Sequence, residues 1–246
     1  MYRFFVDKAD CLSDEIIITG QDVNHIKNVL RLKVGEEISV SDGADKEYIC
    51  SIRELTEDKV FAKIEDVLGN NRELPVEIYL FQGFPKGDKL ETIIQKAVEL
   101  GVAKIVPVMT KRSIVKLDDK KAAKRVERYN AISLAAAKQS KRSVIPEVLP
   151  VMSFKEALKL AETLDMNIIP YENAEGIAAS KAVIKEVASQ KSLGIFIGPE
   201  GGFDQAEVDD VLAIGGKSIT LGHRILRTET AGMTVLSIIM FELEQD

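Results

Sequence analysis

Tryptophan is missing from this chain, and cysteine, histidine and proline are scarce: two Cys, two His and seven Pro in 246 residues. Each shortage removes a class of protein. Cys11 and Cys50 are too few and too widely spaced to frame a disulfide-stapled fold or a zinc knuckle, so both are expected as free thiols in a reducing cytoplasm. His25 and His223 stand apart, with no H-E-x-x-H and no Cys/His cluster, which argues against a metal centre. No G-x-S-x-G elbow marks a serine hydrolase. The G-x-x-x-x-G-K-S/T loop that cradles nucleoside triphosphates and the G-x-G-x-x-G dinucleotide fingerprint are also absent. The apolar run 235–241 is broken by Ser237 and too short to cross a bilayer, and Met1-Tyr2-Arg3-Phe4-Phe5 does not open a signal peptide. A soluble, cytoplasmic protein without a membrane partner is expected.

What is present is a hydrophobic content of 46%, enough for a sizeable core, and 29% charged residues with a net charge of −6. That balance excludes a protein that coats nucleic acid indiscriminately, but leaves room for a local basic face. Residues 1–70 alternate like β structure, with strand candidates at 16–18, 37–40, 47–52 and 60–64. A helix is expected over 22–30, with Val23, Ile26 and Leu30 inward and His25, Asn28 and Arg31 on another stripe. Many short strands and one helix suggest a small barrel-like domain. The polar break 68–72 then divides the chain into domains 1–70 and 73–246.

Beyond the break, strands and helices alternate. Strands are expected at 76–81, 105–108, 166–169, 193–197 and 218–221, and helices at 121–141, 176–189 and 228–243. Asp88/Glu91, Ser153/Glu156 and Asp204/Glu207 have capping-box spacing, so each opens a further helix. After Asp88, the residues Leu90, Ile93, Ile94, Ala97 and Val98 form one apolar face, with Gly101 just past the end. Regular alternation of this kind builds an α/β domain on a mostly parallel sheet.

Three expected strand ends carry unusual loops: Pro170-Tyr171-Glu172, Gly198-Pro199-Glu200-Gly201-Gly202-Phe203, and residues 222–230 with Ile225-Leu226-Arg227-Thr228-Glu229. In open α/β sheets, ligands sit beyond the carboxyl ends of strands. Glycines without an anchoring lysine suit a neutral or cationic group held by backbone hydrogen bonds, and an adenosyl moiety fits, with Ile197, Phe203, Leu221, Ile225 and Leu226 as apolar partners. Between residues 111 and 142 lie eleven Lys or Arg against three acids, an imbalance suited to a phosphate backbone. Arg3, His25, Arg31 and Lys33 are further candidates for RNA contact in the small domain.

The chain resembles the bacterial small-subunit ribosomal RNA uridine N3-methyltransferases, RsmE-like members of the SPOUT superfamily. The resemblance rests on Arg3-Phe4-Phe5, HIKNVLRL at 25–32, KGDKLETIIQKAVELG at 86–101, TKRSIVK at 110–116, Gln139-Ser140, IGPEGGF at 197–203 and LGHRILRTETA at 221–231. It implies a PUA-like RNA-binding β-barrel followed by a trefoil-knotted SPOUT methyltransferase domain. S-adenosyl-L-methionine would be the cofactor, 16S ribosomal RNA or the small ribosomal subunit the partner, and a homodimer the assembly. Cofactor contacts are then expected from Tyr171, Glu172, Gly198, Gly201, Gly202, Leu221, Gly222, Ile225 and Leu226. Arg227 would stabilise charge on the uracil oxygens, Glu229 accept the N3 proton or orient Arg227, and Glu200 pair with an arginine of a neighbouring loop. Lys86, Arg112 and Arg142 join the RNA-binding candidates. Where relatives often carry acidic residues, this chain reads Ser133-Leu134-Ala135-Ala136-Ala137, so no carboxylate role is expected there. The competing reading is an RNA-binding module without catalysis, in which the glycine loops are structural.

Overall fold

Alternating β-branched and polar residues in the first third pair into a five-stranded sheet of order β1-β3-β4-β5-β2. The strands are β1 (Tyr2–Phe5), β2 (Glu15–Thr19), β3 (Glu37–Ser41), β4 (Lys46–Leu55) and β5 (Lys59–Gly69). The computed structural model describes residues 1–11, 14–43, 46–69, 72–113, 119–171 and 176–244. Strands β1 and β3 are parallel, and the remaining pairs of this sheet are antiparallel. The β4–β5 register shifts at Ile49/Cys50 and again at Ile52/Glu54. Such irregularities bend a strand and sharpen its twist. The apolar face packs Phe4, Ile16, Ile18, Val23, Ile26, Ile38, Val40, Ile52 and Val60 into one core. Cys50 is buried there as a free thiol, and burial pushes it up to about 12.

The helix expected over 22–30 differs in detail. It is a single α turn, α1 (Gln21–Asn24), followed by a π-helical turn over His25–Val29. The Leu30 N–H reaches back to His25 C=O at 2.9 Å, and Arg31 then adopts a left-handed φ of +54°. His25, Asn28 and Arg31 therefore do not share one helical stripe, because the wider turn and the reversal at Arg31 break the three-residue spacing.

The second sheet has the order β12-β10-β11-β6-β7-β8, and β9 also pairs with β7. Its strands are β6 (Glu77–Gly83), β7 (Lys104–Met109), β8 (Glu147–Val148), β9 (Met152–Ser153), β10 (Met166–Pro170), β11 (Ser192–Ile197) and β12 (Lys217–Ile219). All of its pairs are parallel. The helices are α2 (Lys89–Glu99), α3 (Asp119–Ser140), α4 (Phe154–Ala161), α5 (Gly176–Glu186), α6 (Gln205–Ala213) and α7 (Thr228–Leu243). Apolar runs on the central strands are covered on both faces, as parallel strands require. Phe81 on β6 stacks on Phe196 of β11, with centroids 4.5 Å apart and planes within 8°. Both rings are fully buried, and such a pair is worth about 0.5–1.5 kcal/mol beyond its area.

Two of the three expected capping boxes form, at Ser153/Glu156 on α4 and Asp204/Glu207 on α6. At α2 the Asp88 side chain caps nothing, and Glu91 instead accepts from Arg128 at 2.8 Å. A charge-assisted bond to arginine displaces the weaker return to the backbone.

The chain forms two compact units: Met1–Glu73 with Ala137–Ile145, and Leu74–Ala136 with Pro146–Asp246. The expected division into 1–70 and 73–246 did not include the return of 137–145 to the first unit. The reason is polar. Ser41 Oγ donates to Ser143 C=O at 2.6 Å, Lys138 pairs with Asp22 at 2.8 Å, and Arg142 pairs with Glu73. In the second unit Ser133 is buried and its hydroxyl donates to Pro146 C=O. Of the linker candidate 68–72, Leu68 and Gly69 belong to β5, and Asn70 and Asn71 lie outside the described residues.

Two glycines of the second unit should respond oppositely to alanine. A Cβ on Gly83 would sit 2.5 Å from Pro199 Cδ and 2.6 Å from its nitrogen, while one on Gly232 would make ordinary contacts at 3.8 and 4.0 Å. Urea denaturation should show Gly83→Ala costing about 1–3 kcal/mol and Gly232→Ala, inside α7, gaining about 0.5–1 kcal/mol.

Candidate functional site

Because β10 pairs in parallel with both β11 and β12, the loops that follow these strands leave the same edge of the sheet. Tyr171, just past β10, donates its N–H to Ile219 C=O at the end of β12 (2.9 Å), and its hydroxyl donates to Gln205 Oε1 (2.7 Å). Glu172, the neighbouring candidate, lies outside the described residues.

The loop after β11 curls on itself. Gly202 N–H closes a turn onto Pro199 C=O at 2.8 Å, and a Cβ on Gly198 would press within 2.9 Å of Gly202. Gly202 and Gly222 have φ of +67° and +110°, and a Cβ on either would meet nothing within 4 Å. The positive φ favours glycine at both positions, and the space beside each is open. Phe203 anchors the loop's exit against Phe154, with ring centroids 5.9 Å apart.

Lys89, Lys111 and Arg112, which border the glycine loop, each have an acid or a carbonyl. Glu200 accepts from Lys89 Nζ at 2.8 Å and from Lys86 N–H at 3.1 Å. It was expected to pair with an arginine. A lysine of α2 takes that place, because β6 and β11 are neighbours and the turn after β6 lies beside the loop. Burial disfavours charge on Glu200, but Lys89 and the backbone donors hold its carboxyl below the usual range. Lys111 Nζ pairs with Asp204 at 2.9 Å, and Lys111 N–H donates to the buried Glu207 at 2.8 Å. The Lys111 bond, first, and then the Ala206 N–H hold Asp204 low. Arg112 donates to Gly201 C=O at 2.8 Å and lies 3.8 Å from Asp204. Arg112 therefore touches the glycine loop itself.

The third loop leads into α7. Arg227 is its N-terminal flanking residue, extended at φ −66° and ψ 155°, and solvent-exposed. Its guanidinium has no hydrogen bond or ion pair among the described residues. Glu229, in the first turn of α7, has a buried Oε2 with no partner among the described residues. Leu221, Gly222 and Leu226 are half-buried, whereas the Ile225 side chain is 93% exposed. Ile225 was expected to help wall an apolar slot. Within this chain its side chain walls nothing, so only its backbone stays a candidate. Pattern reading missed Gln82 and Thr228, both buried polar groups beneath these loops. A lone glutamine in an apolar strand, Phe81-Gln82-Gly83, was the available signal.

The candidate RNA contacts divide. Arg3 is buried, paired with Glu47, and donates to Lys141 and Arg142 C=O at 2.6 Å each. Arg142 is buried against Glu73. Both guanidinium groups are committed inside the first unit, and removing Arg3 would leave the buried Glu47 carboxylate short of a partner at a cost of about 3–5 kcal/mol. His25, Arg31 and Lys33 are exposed, as is Lys86. In the basic run, Arg125 lies over the Phe84 ring at 5.7 Å and Arg128 pairs with Glu91, while Lys120 and Lys124 are exposed. Lys116 lies outside the described residues. A cleft of about 260 Å³ in the first unit borders Lys27, Glu57 and Asp58. It is smaller than the ~300–1,000 Å³ of ordinary small-molecule sites, and its two acids oppose phosphate. Among the described residues no group of His, Cys, Asp and Glu is arranged to hold a metal, and no helix is long and apolar enough to cross a membrane.

A model of the RNA methyltransferase domain matches residues 72–240, and one of the RNA methyltransferase PUA domain matches residues 18–65. The ribosomal RNA small subunit methyltransferase E of Bacillus subtilis is 40% identical over 250 residues, covering 99% of this chain and 98% of its own. The chain belongs to the ribosomal RNA small subunit methyltransferase E family. A member from Neisseria gonorrhoeae, solved bound to S-adenosyl methionine, is 32% identical with a TM-score of 0.82, covering 96% of this chain and 95% of that one. A Legionella pneumophila protein solved with the cofactor SAM is 31% identical, also at 0.82, covering 97% and 96%. The family's two parts are both here: a PUA-like β element at the N-terminus and the mostly parallel sheet of a SPOUT methyltransferase behind it.

Replacing Glu200 with glutamine should loosen the glycine loop. The Glu200 carboxyl is depressed in the folded state, so its contribution is complete above the unfolded carboxylate range and fades as pH falls through the folded value. Near neutral pH the variant should unfold about 1 kcal/mol more easily, as for one charge-assisted hydrogen bond. Urea titrations of both proteins should converge under acid conditions, where both side chains are neutral.

Proposed function

We propose that this protein uses S-adenosyl-L-methionine to methylate N3 of a uridine in 16S ribosomal RNA, and that the cofactor sits in the cradle of the three carboxyl-terminal loops. The observation that carries this reading is the chemistry of the cradle. Glycines leave open space at positions 202 and 222, Lys89 and Lys111 are matched by acids, and Glu229 Oε2 is a buried acceptor with no donor among the described residues. A phosphate would find Lys89, Lys111 and Arg112 already engaged there. A cationic ligand rich in N–H and O–H donors would find acceptors. When bound, the cofactor supplies an electrophilic methyl group on a sulfonium. Backbone at Gly198, Gly201, Gly202, Leu221, Gly222, Ile225 and Leu226 would hold it, with Tyr171 and Glu172 at one end.

Uridine N3 is poorly nucleophilic while protonated. In this reading Glu229 takes the N3 proton, and Arg227, whose guanidinium has no partner among the described residues, binds the uracil oxygens as negative charge builds on them. Glu200 acts at one remove, by fixing the glycine loop to Lys86 and Lys89. The uridine must leave its stack to enter. His25, Arg31, Lys33, Lys86 and Arg112 are the proposed RNA contacts, reinforced by the exposed Lys120 and Lys124. A second copy of the chain is the proposed partner for the face of α7 that exposes Ile238 and Phe241, at 43% and 83%.

Calorimetry and single-turnover methylation of 16S RNA test this together. Arg227→Ala should lower the rate by about 100-fold or more, as for loss of one charge-stabilising donor, with cofactor affinity nearly intact. Gly202→Val should abolish cofactor heat altogether. A wild-type protein that binds RNA but gives no cofactor heat would be a binding module, and the proposal would fail.

A further inference from the structure

Three buried polar groups beneath the cradle form a directed chain. Gln82, at the end of β6, is fully buried, and its Nε2 donates to Gly83 C=O at 3.0 Å and to Thr228 Oγ1 at 2.8 Å. Thr228, 5% exposed at the first position of α7, donates its hydroxyl to Gly198 C=O at 2.6 Å. The Gly83 carbonyl fixes which way the Gln82 amide faces, because only an N–H can bond to it. The Thr228 hydroxyl then accepts from Gln82, which leaves its own proton for Gly198. No other assignment satisfies all three contacts.

This chain links elements that are remote in sequence: the end of β6, the root of the glycine loop and the start of α7. Thr228 sits between Arg227 and Glu229. Its side chain points down into the protein, so the residues on either side are held with respect to Gly198. Neither local structure nor apolar packing dictates that relation, because the loop between β12 and α7 is irregular and carries a 93%-exposed Ile225. We propose that Gln82 and Thr228 are positioning residues for methyl transfer, setting the placement of Arg227 and Glu229 against the glycine loop through the Gln82–Thr228–Gly198 hydrogen-bond chain. The inference rests on the functional reading above. Misplacing reacting groups by about 1 Å can cost on the order of 100-fold in rate, so a single hydroxyl here has leverage far beyond its contribution to stability.

Thr228→Val keeps the shape and removes the hydroxyl, Thr228→Ser restores it, and Gln82→Met keeps the length of the glutamine without its amide. Single-turnover methylation at saturating cofactor and RNA should fall about 10- to 100-fold in Thr228→Val and in Gln82→Met. Thr228→Ser should return to within about threefold of wild type, since it retains the donor that the chain requires. In an Arg227→Ala background, the effect of Thr228→Val should shrink to the part that acts through Glu229, so the two losses should be less than additive. Hydrogen exchange of the free protein, which needs no activity, should quicken at amides 199–203 and 227–230 in Thr228→Val and stay unchanged in β4 and β5. The inference is overturned if Thr228→Val transfers methyl groups at the wild-type rate, if serine does not rescue it, or if its loss simply adds to that of Arg227→Ala. If Thr228→Val does not fold, Gln82→Met and the exchange pattern of Thr228→Ser decide the matter in the same terms. A wild-type protein that binds the cofactor but methylates no RNA would overturn the functional reading, and this inference with it. Normal wild-type activity with an equally active Thr228→Val would overturn the inference alone.

Discussion

Parallel pairing of β10 with β11 on one side and β12 on the other brings three carboxyl ends to one edge of the sheet, and all the chemistry described above depends on that register. A one-residue slip in any of these strands would turn its side chains to the opposite face and carry its loop away from the others. The register is fixed by burial. Ile168, Ile169, Leu193, Ile195, Phe196 and Ile219 are almost wholly hidden, so a slipped strand would force side chains of the wrong shape into the close-packed layers on both faces. The tight stack of Phe81 on Phe196 extends the same constraint to β6, whose end holds Gln82 and Gly83 against the glycine loop.

Along that edge, most of the charges beside the glycine loop are already satisfied. Lys89 answers Glu200, Lys111 answers Asp204, and Arg112 is engaged by the Gly201 carbonyl. Basic residues are numerous in this stretch, yet those beside the loop are spent on holding it. Among the described residues, the exposed guanidinium of Arg227 and a buried carboxylate oxygen of Glu229 have no partner, and both flank the same threonine. A buried acceptor without a partner carries a desolvation cost that calls for an explanation.

Local signals in the sequence were readable where one residue type had one good use. The capping boxes at Ser153 and Asp204 form because nothing stronger competes for Glu156, while Glu207 can serve both its cap and Lys111. At Asp88 the same spacing fails because Arg128, far along the chain, captures Glu91. The apolar stripe Val23, Ile26, Leu30 marks an inward face correctly, but it could not show that the chain opens into a π turn after Asn24 and reverses at Arg31. Arg3 and Arg142 look like surface cations in a list of residues. They are interior struts, because Glu47 and Glu73 are folded against them from elsewhere in the first unit.

Composition, periodicity and two glycine-rich strings were enough to determine a β-rich unit and an α/β unit with a parallel sheet, and to single out the glycine-rich loops that leave one edge of that sheet. They sufficed because hydrophobic spacing and the backbone freedom of glycine are local properties that no partner can change. The tertiary structure alone decided which charges are free and which are consumed, that residues 137–145 return to the first unit, and that Gln82 reaches Gly198 through a threonine hydroxyl. Hydrogen bonds and ion pairs between residues a hundred positions apart depend on distance in space, and a linear pattern carries no record of that distance.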